Sequence, residues 1–150
     1  MDKGNTKEGL PKAVAVVGGG SWGTALANLL AEKSIPVSLW VFEEDLCEEI
    51  QKTKENSLYL PGVPLSPLLQ PHHNLKEVLA GKGIILMAVP SHVYRQVAME
   101  MLDFLKGPVV IVSATKGIEN ESLQTMSGIW REVMPGRINW NYASRSSFMK

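Results

Sequence analysis

A cluster of glycines near the start of the chain has the spacing of a phosphate-binding turn. The pattern is G-x-G-x-x-G, in which Gly18 makes a tight turn, Gly20 lets the backbone approach a pyrophosphate, and Gly23 allows a helix to pack closely on a strand. A helix that begins here offers unpaired N–H groups to phosphates. The alternative is a glycine-rich connection without a ligand. The candidate contacts are Gly18, Gly19, Gly20, Ser21, Trp22 and Gly23, with Trp22 as a wall of the cleft.

Two residues about twenty positions further along are candidates for the adenosine half of a dinucleotide. The Glu43 carboxylate can accept a hydrogen bond from a ribose 2′-hydroxyl and would repel a 2′-phosphate, whereas Phe42 can cover the adenine ring. No Arg or Lys stands nearby in the sequence to bind a 2′-phosphate, so these residues favour NAD over NADP. The other interpretation of the acidic run is a solvated helix start, which applies to Glu44 and Asp45 more than to Glu43.

Lys116 is the candidate for the chemistry itself. It lies in the loop SATKGIE, after a predicted strand, and ligands of open α/β sheets bind beyond the carboxyl ends of strands. Its ammonium group could reach a substrate oxygen or a cofactor group; the alternative is a solvated surface lysine.

His92 is a weaker candidate, because a histidine at a helix start is usually structural. His72 and His73 have no metal partners at useful spacing, so the sequence predicts no metal site.

The elements that would position these residues alternate between strand and helix. The continuous apolar run Ala13–Val17 predicts a strand buried on both faces. The apolar face of the first helix, which is expected to pack on the core, carries Ala25, Leu26, Leu29 and Leu30. The proline-rich stretch Asn56–Pro71 is predicted to be an irregular connection. The predicted strands are Ala13–Val17, Val37–Phe42, Ile84–Val89 and Val109–Ser113, and the predicted helices are Trp22–Lys33, Asp45–Thr53, Leu75–Ala80, His92–Leu105 and Leu123–Val133.

This order predicts an α/β fold with a Rossmann-type, doubly wound and mostly parallel sheet. Residues 1–12 read as a polar tail and residues 13–150 as one dinucleotide-binding domain, with the assignment of 137–150 left open. The formal net charge of zero argues against nucleic-acid or anionic-membrane binding, so an anionic ligand must be held locally. The chain has one cysteine and no apolar run long enough to span a bilayer, so a soluble, cytoplasmic protein is expected.

Five motifs in order, GGGSWGTALA, LWVFEE, NSLYLPG, AVPSHV and ATKGIE, resemble the N-terminal domain of NAD(P)-dependent glycerol-3-phosphate dehydrogenase. The resemblance implies interconversion of glycerol 3-phosphate and dihydroxyacetone phosphate by hydride transfer with NAD or NADP, feeding glycerophospholipid synthesis. It implies that Lys116 is shared by cofactor and substrate, that Phe42 contacts the adenosine half, and that Val93 occupies a cleft position. WVFEE looks like NAD-using members and VPSHV and ATKGIE look bacterial, which leaves both cofactors open.

Two departures from the family pattern bear on activity. The stretch SRSSF, residues 144–148, stands where relatives show S-G-P-[ST]-F, so Arg145 replaces a glycine. The family's C-terminal helical domain is absent from this chain, and the resemblance places the principal acid/base and the substrate-phosphate site there. The 150-residue chain alone is therefore expected to be inactive, and the resemblance leaves a homodimer open for the full-length form.

Two alternative functions remain: a stand-alone NAD-binding or sensing module without turnover, and another two-domain dehydrogenase such as a hydroxyacid or ketopantoate reductase.

Overall fold

The fold is a five-stranded parallel sheet with helices on both faces, seen in a computed structural model that describes residues 12–136. The strand order is β3-β2-β1-β4-β5, and every neighbouring pair is parallel. Because the order reverses between β1 and β4, a crevice opens beyond the carboxyl ends of these two strands. The strands are β1 (Val14–Val17), β2 (Val37–Trp40), β3 (Leu69–His72), β4 (Ile84–Met87) and β5 (Val110–Ser113).

Among residues 12–136, four helices and one short 3-10 helix connect the strands, and a fifth helix follows the last strand. β1 is buried on both faces, as its continuous apolar run predicts: Val14 and Val16 face one core cluster, and Ala15 and Val17 face the other. The helices α1 and α2 cover the first face, and α4 and α5 cover the second. The helices are α1 (Ser21–Glu32), α2 (Glu44–Thr53), α3 (Leu75–Leu79), α4 (Ser91–Met101) and α5 (Met126–Val133), with the 3-10 helix at Leu102–Phe104.

The side of α1 that faces the core is not the one predicted from its leucines. The buried residues are small or polar, among them Ala27, Asn28 and Ala31, whereas Leu29 is 50% exposed. Leu26 is half-buried, and so is Leu30, which packs against the core from the side. The prediction was wrong because α1 lies so close to the sheet at its first turn that only small side chains fit beneath it.

The proline-rich connection contains a strand that the sequence analysis missed. β3 pairs in parallel with β2 at the edge of the sheet, with Leu69 opposite Val37 and Pro71 opposite Leu39. A proline is tolerated in an edge strand because its missing N–H faces away from the neighbouring strand. Leu69 and Pro71 are buried and Gln70 is exposed, which is the alternation of a strand with one covered face.

Several element boundaries also differ from the predicted ones. β2 ends at Trp40, so Phe42 and Glu43 belong to the turn that precedes α2. α4 ends at Met101 instead of Leu105, and α5 begins at Met126, where the side chain of Thr125 accepts a hydrogen bond from Gly128 N–H as its N-cap. Within residues 12–136, no helix is long and apolar enough to cross a membrane.

The register of β3 is tested by truncating two adjacent leucines. Leu69 is 1% exposed and Leu68 is 40% exposed. We expect Leu69→Ala to lower the free energy of unfolding by about 2–5 kcal/mol, and Leu68→Ala by about 0.5 kcal/mol or less. Urea denaturation of both variants measures the difference. Equal losses, or a larger loss for Leu68→Ala, would show that the strand is shifted by one residue.

Candidate dinucleotide-binding site

A cleft of about 770 Å³ opens beyond the carboxyl ends of β1 and β4. This volume lies in the usual range for ligand sites. Of the residues predicted to bind a cofactor, the structure brings all but Gly23 to the wall of this cleft, and Gly23 lies buried beneath it. Those at the wall are Gly18, Gly19, Gly20, Ser21, Trp22, Phe42, Glu43, Val93 and Lys116.

The glycines of the turn meet different surroundings. Gly18 has φ +126°, and a Cβ there would lie 2.8 Å from the Ala88 carbonyl group. A Cβ on Gly23 would lie 1.8 Å from the Gly18 carbonyl oxygen, which no rearrangement of side chains can relieve. A Cβ on Gly20 meets nothing within 4 Å. Gly18 and Gly23 are therefore required by the fold, whereas Gly20 faces open space in the cleft, where a ligand would need it.

Two helices begin at the cleft. The N-cap of α1 is Gly20 and that of α4 is Pro90, and neither forms a side-chain capping hydrogen bond. The first N–H groups of a helix have no partner within the helix, so in α1 they remain available to a ligand. Together with the helix dipole they favour an anion such as a pyrophosphate.

The proposed adenosine end of the cleft combines an aromatic ring with a fixed carboxylate. Phe42 is 69% exposed and packs edge to face against Trp40, with ring centroids 5.9 Å apart. Glu43 accepts a hydrogen bond from the Tyr59 hydroxyl at 2.6 Å, and this carboxylate raises the pKa of Tyr59. One oxygen of Glu43 is therefore occupied by the protein, and the sequence analysis missed the tyrosine that holds it.

Asn56 is a second residue that the sequence analysis missed. It is fully buried, and its side-chain amide donates to the Gly19 carbonyl oxygen and to Thr24 Oγ1, both at 2.9 Å. Its Oδ1 accepts from Tyr59 N–H, and Thr24 Oγ1 itself donates to Gly19 O. The buried Asn56 thus fastens the glycine turn to the proline-rich connection. The available signal was a polar residue at the head of the apolar stretch NSLYLPG.

Lys116 lies on the opposite wall of the cleft, in the loop that follows β5. Its side chain is exposed, and the preceding Thr115 donates from its hydroxyl to the Val89 carbonyl oxygen at 2.7 Å. Gly117 has φ +101°, a backbone conformation that favours glycine at this turn. These features direct the loop back toward the start of α4.

The histidines stand apart from the cleft. His92 is exposed and does not line it. His72 contacts Glu77, and His73 contacts the Val41 carbonyl oxygen. Among residues 12–136, no group of three or more His, Cys, Asp or Glu residues is placed to hold a metal ion.

A parallel sheet of this order, with a glycine turn leading into a helix at the point where the order reverses, defines a dinucleotide-binding domain of the Rossmann type. Residues 13–145 match the family described as NAD-dependent glycerol-3-phosphate dehydrogenase N-terminus, and the chain belongs to this family. The resemblance drawn from the five motifs is therefore confirmed. Its tail motif, SRSSF, lies outside the described residues.

Named relatives agree with this assignment. The chain is 56% identical over 122 residues to glycerol-3-phosphate dehydrogenase [NAD(P)+] from Syntrophobacter fumaroxidans, covering 81% of this chain and 36% of the relative. It is similar in structure to glycerol-3-phosphate dehydrogenase from Coxiella burnetii, with a TM-score of 0.80 and 34% identity, covering 85% of this chain and 39% of that one. It is also similar in structure to glycerol-3-phosphate dehydrogenase from yeast, with a TM-score of 0.73 and 30% identity. That match covers 83% of this chain and 40% of the yeast chain. The chain thus spans well under half the length of these relatives.

Proposed function

We propose that this chain is the cofactor-binding half of an enzyme that interconverts glycerol 3-phosphate and dihydroxyacetone phosphate with NAD or NADP. The observation that carries the proposal is the open space at Gly20, at the N-terminus of α1. A side chain there would project into the cleft, and its absence lets a pyrophosphate contact the backbone. When bound, the cofactor supplies or accepts the hydride.

Lys116 is the residue that we assign to the reacting end of the cleft. Hydride transfer to a ketone builds negative charge on the carbonyl oxygen, and an ammonium group can stabilise that charge. Of the described residues that line the cleft, Lys116 is the one cation. The relatives from Syntrophobacter and Coxiella are named for glycerol 3-phosphate, a phosphate monoester, which supports an anionic substrate at this end.

NAD is the cofactor that the other end of the cleft favours. Glu43 and Tyr59 both line it, and the Tyr59 hydroxyl leaves the second carboxylate oxygen of Glu43 free to accept from a ribose 2′-hydroxyl. A 2′-phosphate at this point would meet a negative charge.

We also propose a cytoplasmic location, which the free, buried thiol of Cys47 supports.

Cofactor binding is tested with two glycine variants. Gly20→Val is expected to weaken NADH binding by about tenfold or more, equivalent to about 1.4 kcal/mol, because the side chain occupies the space of the pyrophosphate. Its melting temperature should stay close to that of the original chain. Gly23→Ala is the contrasting variant, expected to lose about 1–3 kcal/mol of stability or more through its clash with Gly18. Calorimetric titration and thermal unfolding measure both; equal NADH affinity in the original chain and Gly20→Val would reject the site.

Cofactor preference is tested at Glu43. We expect NADH to bind at least as tightly as NADPH, and Glu43→Gln to shift the ratio of the two affinities toward NADPH by about tenfold, since removing the charge removes the repulsion. Glu44→Gln is the control, because Glu44 is exposed and does not line the cleft. A marked preference of the original chain for NADPH would mean that a basic residue distant in sequence binds the 2′-phosphate.

Turnover is expected to require more than these 150 residues. The dianionic substrate phosphate needs a fixed cationic partner and the forming alkoxide needs a proton donor, and one lysine does not serve both. The chain is therefore expected to bind NADH without oxidising it when dihydroxyacetone phosphate is added, as followed by NADH absorbance. Steady oxidation that depends on the ketone and disappears in Lys116→Ala would contradict this expectation.

A further inference from the structure

Arg95 connects three elements next to the cleft. From α4, its Nε donates to Glu119 Oε1 at 2.7 Å and its Nη2 donates to Glu119 Oε2 at 2.8 Å. Nη2 also lies 2.8 Å from Glu132 Oε2 on α5. The contact with Glu119 is bidentate, the arrangement in which a guanidinium group gives both strength and a defined orientation.

Glu119 belongs to the loop that carries Lys116. The loop runs from residue 114 to residue 125, and two side-chain contacts join it to other segments: Thr115 is bonded to the Val89 carbonyl oxygen, and Glu119 is bonded to Arg95. Beyond Glu119 the loop closes on itself, with the Ser122 hydroxyl donating to the Glu119 carboxylate and Glu119 N–H donating to Gln124 O. The exposed residues 116–118 are the span between the two contacts.

The ion pair is partly shielded from solvent. The side chains of Arg95 and Glu119 are 30% and 16% exposed. Hydrogen bonds from Arg95 and Ser122 lower the pKa of Glu119 from its ordinary value of 4.5 to about 2. Because the folded pKa is the lower one, the stabilisation is complete above about pH 4.5 and is lost only as the pH falls toward 2. The pair is therefore fully charged at neutral pH.

We propose that Arg95 is a positioning residue for Lys116: by holding Glu119, it fixes the span 116–118 against the cleft. The role of Lys116 itself rests on the proposed function. A guanidinium group needed only to join α4 to α5 would depend on Glu132, whereas the proposed role depends on Glu119. The two carboxylates thus offer a matched pair of variants around one arginine.

The first experiment follows the loop without any ligand. In Arg95→Met, which keeps the aliphatic stem, amide hydrogen exchange of the span 119–123, where Glu119 N–H and Leu123 N–H are hydrogen-bonded within the loop, is expected to rise by about tenfold or more, equivalent to about 1.4 kcal/mol of local stability. Glu119→Gln is expected to do the same, and Glu132→Gln is expected to leave the exchange of this span unchanged. Exchange that is unaltered in Glu119→Gln, or that rises equally in Glu132→Gln, would overturn the proposal.

The second experiment is a double-mutant cycle on NADH affinity. The family resemblance implies that Lys116 contacts the cofactor as well as the substrate, so Lys116→Ala is expected to lose one charged hydrogen bond to NADH and to weaken binding about tenfold. Arg95→Met is expected to weaken it to a similar extent, Arg95→Lys less, and the double variant no more than Lys116→Ala alone. Effects that multiply in the double variant would show that Arg95 acts by another route and would overturn the proposal.

The two experiments separate this proposal from the proposed function. If the original chain binds no NADH, or if Lys116→Ala binds it normally, the assigned ligand or the role of Lys116 is wrong, and the exchange measurement alone decides whether Arg95 holds the loop. If Arg95→Met does not fold, Glu119→Gln removes the same contact from the loop side with almost no change in volume, and the cycle is run with that variant.

Discussion

The structure depends on the close approach of α1 to the glycine turn that precedes it. The 1.8 Å that would separate a Gly23 Cβ from the Gly18 carbonyl oxygen leaves no room for any other residue at position 23. This contact places the first turn of α1 beyond the carboxyl end of β1, beside the cleft. It also limits the buried side of the helix to small residues such as Ala27 and Ala31, and turns Leu29 toward solvent.

A chain with zero net charge has to hold an anion by local means. In the proposed site, the means would be the backbone N–H groups at the start of α1, the one lysine among the described lining residues, and the absence of a side chain at Gly20. The selectivity proposed for NAD would likewise be local, because it rests on the single carboxylate of Glu43. Such a site depends on accurate placement of few groups. The hydrogen bonds of Asn56 and Thr115 hold the two loops that carry these groups.

Sequence reasoning reached the fold class and most of the cleft residues because both follow from local patterns, whereas Val93 came only from the family resemblance. Buried strands show as continuous apolar runs, and the glycine turn shows as a spacing. It missed β3, because this short edge strand contains a proline and follows a proline-rich stretch, as a loop would. It chose the wrong side of α1, since the helix-to-sheet distance is set by a contact at Gly23. Asn56, Tyr59 and Arg95 were missed because their partners lie 16 to 37 residues away, and no periodicity reports such contacts.

The burial of Asn56 makes two distant segments one thermodynamic unit. Its amide is satisfied only while the connection and the glycine turn are packed together, 37 residues apart in sequence. Opening of either segment would leave buried polar groups without partners. Linkage is reciprocal, so any ligand that stabilises the glycine turn must also suppress opening of the connection. A ligand bound in the cleft would therefore raise the protease resistance of the proline-rich connection, most of which lies outside the cleft.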